Sequence, residues 1–113
     1  MWSVELEPEV EDWLDDLSPT EFATVLAHID RLAERGNQLR LPASRSFGQG
    51  LFEVRFDLSR SAWRITYFFA ADRRIVLLTV FRKQRQNERT EVRRAREAKD
   101  RCVAEGHTAK EDD

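Results

Sequence analysis

The sequence predicts an α+β fold: two N-terminal helices packed on a twisted, mainly antiparallel sheet, with a helix at the C-terminal end. Three observations predict it. Phe22, Val25, Leu26, Ile29, Leu32 and Ala33 recur at the 3.6-residue spacing of an amphipathic helix. Three strand-like runs, Leu51–Asp57, Trp63–Ala70 and Ile75–Arg82, are separated by joints short enough for hairpins. The segment Glu88–Val103 is rich in Ala, Arg, Glu and Lys, which favours helix. Helices on one face of an antiparallel sheet form a stable layered arrangement. The other sheet face is expected to be partly open and to offer a place for a site.

The elements follow in order. Trp2 to Leu6 alternates apolar and polar residues, which suits a first strand. Val10, Trp13, Leu14 and Leu17 make the stripe of a short helix. Ser18-Pro19-Thr20-Glu21 restarts a helix, with Ser18 as cap, Pro19 in the first turn and Glu21 completing a capping box. Gly36 is placed to end it. Residues 37–50 contain Pro42, Gly48 and Gly50 and read as a loop, with a short strand near Arg45–Phe47. The last helix carries a thin apolar stripe, Val92, Ala95, Cys102 and Val103. Residues 1–103 are expected to form a single domain, and 104–113 a polar, disordered tail.

A chain of 113 residues is long enough for one domain. It has no apolar run of membrane-spanning length. A lone Cys102 cannot form an internal disulfide, and the start lacks the pattern of a secretory signal. A cytoplasmic location is therefore expected. Net charge is −2, but it is unevenly distributed. Residues 1–36 carry ten acids against two arginines, residues 37–102 sixteen cations against seven acids, and the last eleven residues four acids against one lysine. Such asymmetry suits a polyanion-binding face backed by an acidic one, and equally a solvated charged surface.

The chemistry rests on arginines in apolar strands. Side chains alternate between sheet faces. Glu53 and Arg55 therefore share a face opposite Phe52, Val54 and Phe56, and Arg64, Thr66 and Phe68 oppose Trp63, Ile65, Tyr67 and Phe69. A cation in mid-strand is costly unless it is paired or reaches water. Two readings follow: Arg55 or Arg64 pairs with Glu53 and props the sheet, or the two forks form a phosphate-binding patch. Phe81-Arg82-Lys83-Gln84-Arg85 ends the third run with three cations that could form a second arm. Tyr67, Phe68 and Phe81 could stack a base or belong to the core. His28 and His107 are far apart in the chain, and no metal-binding or nucleotide-loop spacing occurs. Chemistry by cationic side chains, without metal or other cofactor, is the expectation.

The ordered segments Gly50-Leu51-Phe52-Glu53-Val54-Arg55, Trp63-Arg64-Ile65-Thr66-Tyr67, Ile75 to Lys83 and Glu91-Val92-Arg93-Arg94-Ala95 resemble the RelE/HigB toxin superfamily, and within it the phage-Gp49-like HigB branch. The resemblance spans roughly residues 1–102. A Lys-Lys pair is usual after the phenylalanine, where this chain has Arg82-Lys83. The resemblance implies a RelE-like fold and a type II toxin that cuts messenger RNA on the ribosome, an mRNA interferase. In that chemistry the 2′-hydroxyl attacks the adjacent phosphate and leaves a cyclic phosphate. Arg55 and Arg64 would stabilise the phosphate charge, and Lys83 would assist proton transfer. Arg45, Tyr67, Phe81, Arg82 and Arg85 would contact RNA. It further implies an antitoxin partner, usually of helix-turn-helix type, with the ribosome and mRNA as targets and no membrane; the oligomeric state is left open. Two other readings share the fold: a ParE-like toxin that inhibits gyrase, and a degenerate, non-catalytic antitoxin-binding module.

Overall fold

The computed structural model describes residues 1–106. Its elements are β1 (Ser3–Leu6), α1 (Pro8–Asp15), α2 (Pro19–Arg35), a 3₁₀ turn (Gly36–Gln38), β2 (Ser44–Gly48), β3 (Leu51–Leu58), β4 (Ser61–Ala70), β5 (Arg74–Arg82) and α3 (Glu88–Ala104). The strands form one sheet in the order β1-β5-β4-β3-β2. Only β1 runs parallel to its neighbour; the other pairs are antiparallel. This is the α+β arrangement expected from the sequence. The short strand expected near Arg45–Phe47 is found as β2, Ser44–Gly48, an edge strand paired with β3. Of the expected polar tail, residues 107–113, with His107, lie outside the described residues.

α2 begins as its sequence dictates. The Ser18 hydroxyl accepts from the Glu21 amide at 3.1 Å, and the Glu21 carboxylate accepts from the Ser18 amide at 3.2 Å. The other Glu21 oxygen accepts from the Ser59 hydroxyl in the β3–β4 turn. At the far end Gly36 has φ 54°, and a Cβ there would lie 2.0 Å from Nε1 of Trp2. Trp2 cannot easily yield, because it packs against Phe69 and carries the Arg73 guanidinium over its ring.

The sheet separates two cores. Val10, Leu14, Val25, Ile29 and Leu32 of α1 and α2 pack on Val54, Phe56, Ile65, Tyr67, Ile75, Leu77 and Val80. On the opposite face, Ala95, Ala98 and Cys102 of α3 pack on Leu51, Phe68, Val76 and Leu78. The second face is therefore not left open along its length. α3 covers it and is tied down on both sides. Arg96 and Lys99 donate to the carbonyls of Phe47 and Gln49 at the β2–β3 turn. Arg94 reaches the other side, where β5 extends beyond β1. There the Val80 amide donates to Glu9 of α1, and Arg94 pairs with Glu9 and donates to the Val80 carbonyl. Asn87 donates to the carbonyl of Arg82 on the same edge.

A bulge in β5 sets the phase of the sheet end. Tyr67 pairs with Leu77 and Thr66 with Thr79, so Leu78 is an extra residue. Strict alternation from Ile75 would put Phe81 and Lys83 on the α1–α2 face. The bulge moves them to the face of α3.

Candidate phosphate-binding site

The part of the α3 face that the helix leaves uncovered holds the charged residues. Arg55 and Arg64 are direct cross-strand partners, so both guanidinium groups rise from the same spot. Glu53, one pair further along, faces Thr66 on β4 and Arg45 on β2. Its carboxylate lies 3.5 Å from Nε of Arg64 and 3.8 Å from Nε of Arg55. The pair Arg64 and Glu53 is almost fully buried, at 8% and 4% exposed, whereas Arg55 is half-buried. Burial pushes the Glu53 carboxyl above its usual range, and the three arginines offset this only in part. Burial also lowers Arg64, against the opposing pull of Glu53.

The geometry leaves binding capacity over. Glu53 sits at the Nε side of both arginines, and Nη1 of Arg64 donates to the carbonyl of Trp63 at 3.0 Å. Among the described residues, no hydrogen bond occupies the Nη groups of Arg55 or Nη2 of Arg64. These border a cleft of about 350 Å³ whose walls include Arg31 of α2, Pro42, Ala43 and Asp57. Two guanidinium edges at one mouth can take a phosphate through several charge-assisted hydrogen bonds.

The other expected residues divide. Lys83 donates its amide to the carbonyl of Ala62, which places it by register on the face of Arg64 and beside the strand end. Arg45 is on the same face and pairs with Glu88, the first residue of α3, at 3.2 Å. Arg82 pairs with Trp63 and so belongs to the opposite face, where it is exposed. Arg85 is exposed in the turn after β5. Tyr67 and Phe81 are not surface rings. Tyr67 is 1% exposed in the helix-side core, with its hydroxyl bonded to Ser44, because the strand phase turns it inward. Phe81 is the cross-strand partner of Arg64 but is 6% exposed, so its faces are not available to a base. Glu88 and Arg31 had not been singled out as site residues. Glu88 shows no local signal. Arg31 does, as one of only two cations in an acidic segment of 36 residues.

Among the described residues no group of His, Cys, Asp and Glu could hold a metal ion, and no helix is long and apolar enough to cross a membrane.

The arrangement of two helices, twisted sheet and C-terminal helix is that of the RelE toxin fold. The structure is similar to the toxin in the E. coli RelBE toxin–antitoxin complex, at TM-score 0.57 and 14% identity over 75% of this chain and all of that one. It is also similar to a doubly arginine-to-alanine substituted E. coli RelE in the free state, at TM-score 0.60 and 12% identity over 88% of this chain and 96% of that one. At such identities the likeness is one of fold. No curated protein sequence matches the chain. The family is shown by the sequence itself: residues 12–103 match the phage-derived Gp49-like proteins, and the chain belongs to that family.

Proposed function

We propose that residues 1–103 form a type II toxin acting as a ribosome-dependent mRNA endoribonuclease, held in check by a small antitoxin, usually of helix-turn-helix type in such systems. The observation that carries the reading is the direct pairing of Arg55 with Arg64, their free guanidinium edges at one cleft. Attack of the 2′-oxygen on phosphorus, its proton passing to water, forms one P–O bond, and departure of the 5′-oxygen, which takes up a proton in turn, breaks another. Negative charge accumulates on the non-bridging oxygens between these events, where preorganised donors lower the barrier most. Arg55 and Arg64 supply those donors, and Lys83 adds charge and a proton donor at the same strand end. Arg45 is an auxiliary phosphate contact.

Induced expression followed by mapping of mRNA 5′ ends tests the reading. Cuts phased with ribosomal reading frames are expected, and Arg55→Ala should lower cleavage by about 10²–10³-fold, the scale of one lost transition-state donor. Growth arrest with intact mRNA and gyrase-linked DNA breaks would replace the nuclease with the gyrase-inhibiting toxin. One observation favours a non-catalytic chain: Arg64 is deeply buried against Glu53, as a structural pair would be. Absence of both arrest and cleavage on expression of the folded wild-type chain would decide for it, whereas full arrest by folded Arg55→Ala and Arg64→Lys variants would favour the gyrase-inhibiting toxin.

A further inference from the structure

The geometry points to a second phosphate-binding stretch, formed by Arg31, Arg35 and Arg40, that continues the Arg55–Arg64 cleft and holds the RNA backbone flanking the bond to be cut. The inference rests on the ribonuclease reading for the identity of its ligand as RNA.

Residues 1–36 contain ten acids and only two cations, Arg31 and Arg35. These sit four residues apart on α2, about 6 Å along its axis at 1.5 Å per residue. That is close to the distance between successive phosphates on an extended single strand. Both are exposed. Both line a groove of about 310 Å³ with Gln38, Leu39 and Arg40, and this groove shares Arg31 and Ala43 with the cleft of Arg55 and Arg64. The two depressions share these two walls, and five arginines line them.

A structural explanation covers only part of this. Arg35 lies in the last turn of α2, where a cation suits the helix dipole. Arg31 lies a turn earlier, and neither residue makes an ion pair among the described residues. Arg40 donates only to the backbone carbonyls of Asn37 and Leu39. Asp57 lines the cleft, and Asp30 and Glu34 line a third depression whose walls also include Arg31 and Arg35. Among the described residues no acid lines the groove of Arg31, Arg35 and Arg40, and a polyanion laid along it relieves the mutual repulsion of the three cations. Arginine forks suit phosphate oxygens, and the open groove suits a flexible strand.

The test uses two RNA probes over a salt series: a short single-stranded oligoribonucleotide with 2′-O-methyl groups throughout, which cannot be cut, and vacant ribosomes. The Arg31→Ala/Arg35→Ala variant should bind more weakly. Its slope of log affinity against log salt should be shallower by about 1.4, the share of two phosphate contacts on a single strand. An Arg89→Ala/Arg93→Ala control on the exposed side of α3 should behave as wild type. A change with the oligoribonucleotide assigns the groove to the message; a change with ribosomes alone assigns it to ribosomal RNA. Unchanged slopes with both probes, or an equal change in the control, would overturn the inference. So would binding of polyglutamate that depends on Arg31 and Arg35 where RNA binding does not. Failure of the two readings is distinguishable. Cleavage that needs Arg55 with unchanged slopes removes the groove and leaves the nuclease. Arg31-dependent RNA binding by a chain that cuts nothing does the reverse.

Discussion

Glu53 determines how far Arg64 can be separated from the fold. Removing Arg64 alone leaves a carboxylate 4% exposed with only the looser contact to Arg55. Breaking such a buried pair costs up to about 3–5 kcal/mol. Arg64→Ala is therefore expected to lower the urea midpoint sharply, and Glu53→Gln/Arg64→Ala to recover part of it. Cleavage by the double variant should stay low, because the phosphate donor is still missing; full recovery of both would make Arg64 structural. Protonation gives an independent check. The folded state holds the Glu53 proton to higher pH than the unfolded chain does. Stability from this group is present at low pH and lost as pH rises from the ordinary carboxylate range through the raised value. The difference between wild type and Glu53→Gln should follow that slope in equilibrium unfolding at a series of pH values. A flat difference would mean that Glu53 is not desolvated. His28 runs the opposite way: burial and Arg31 lower it, so its contribution is lost as pH falls through the window below the usual histidine value.

At the scale of elements, helix boundaries were legible and the sheet end was not. Ser18-Pro19-Thr20-Glu21 and Gly36 fix both ends of α2 through local chemistry, and both are seen. Ser18→Ala should cost about 1 kcal/mol, read from the unfolding midpoint. Gly36→Ala should cost more than its intrinsic propensity, about 1–3 kcal/mol, because the new methyl meets the pinned Trp2 ring. Loss of near-ultraviolet circular dichroism would accompany it, and an unchanged spectrum would contradict the clash. The faces of β3 and the facing of Arg64 on β4 follow from alternation and are found. β5 defeats alternation, since the extra Leu78 leaves no mark in a run of Ile, Val and Leu. Alternation alone sends Arg82 and Lys83, read as one cluster, to opposite faces, and the extra Leu78 decides which face each takes. The edge strand β2 was legible as a short run near Arg45–Phe47, although its pairing partner, β3, supplies the order that its own Gly and Ser residues lack.

The whole molecule divides its charge much as the chain does, with two exceptions that matter. Arg31 and Arg35 stand on the acidic helical layer yet line grooves toward the basic sheet end. Their rarity in residues 1–36 marks them in the sequence, but that they reach another segment's site is a property of packing. The coverage of the second face by α3 was similarly hidden. Its stripe is thin because the residues that fit against the sheet are small, Ala95, Ala98 and Cys102. Ala95, wholly buried, should accept Leu only at a cost of about 1–3 kcal/mol from overpacking, measurable by denaturant titration.

β5 outlasts its neighbour β1, and a strand that outlasts its neighbour presents unpaired amides and carbonyls along its open flank. Such a flank invites a second molecule to add its own strand, and repetition of that step builds fibres. Here Glu9, Arg94 and Asn87 occupy those groups at Val80 and Arg82, standing in for a missing strand. Three side chains, from α1, α3 and the residue that precedes α3, thus act as a seal against self-association. A Glu9→Ala/Arg94→Ala protein should scatter light increasingly with concentration at temperatures where the wild type stays clear. For a chain whose net charge of −2 gives little mutual repulsion between copies, that seal is the feature of the fold that would oppose strand-on-strand growth.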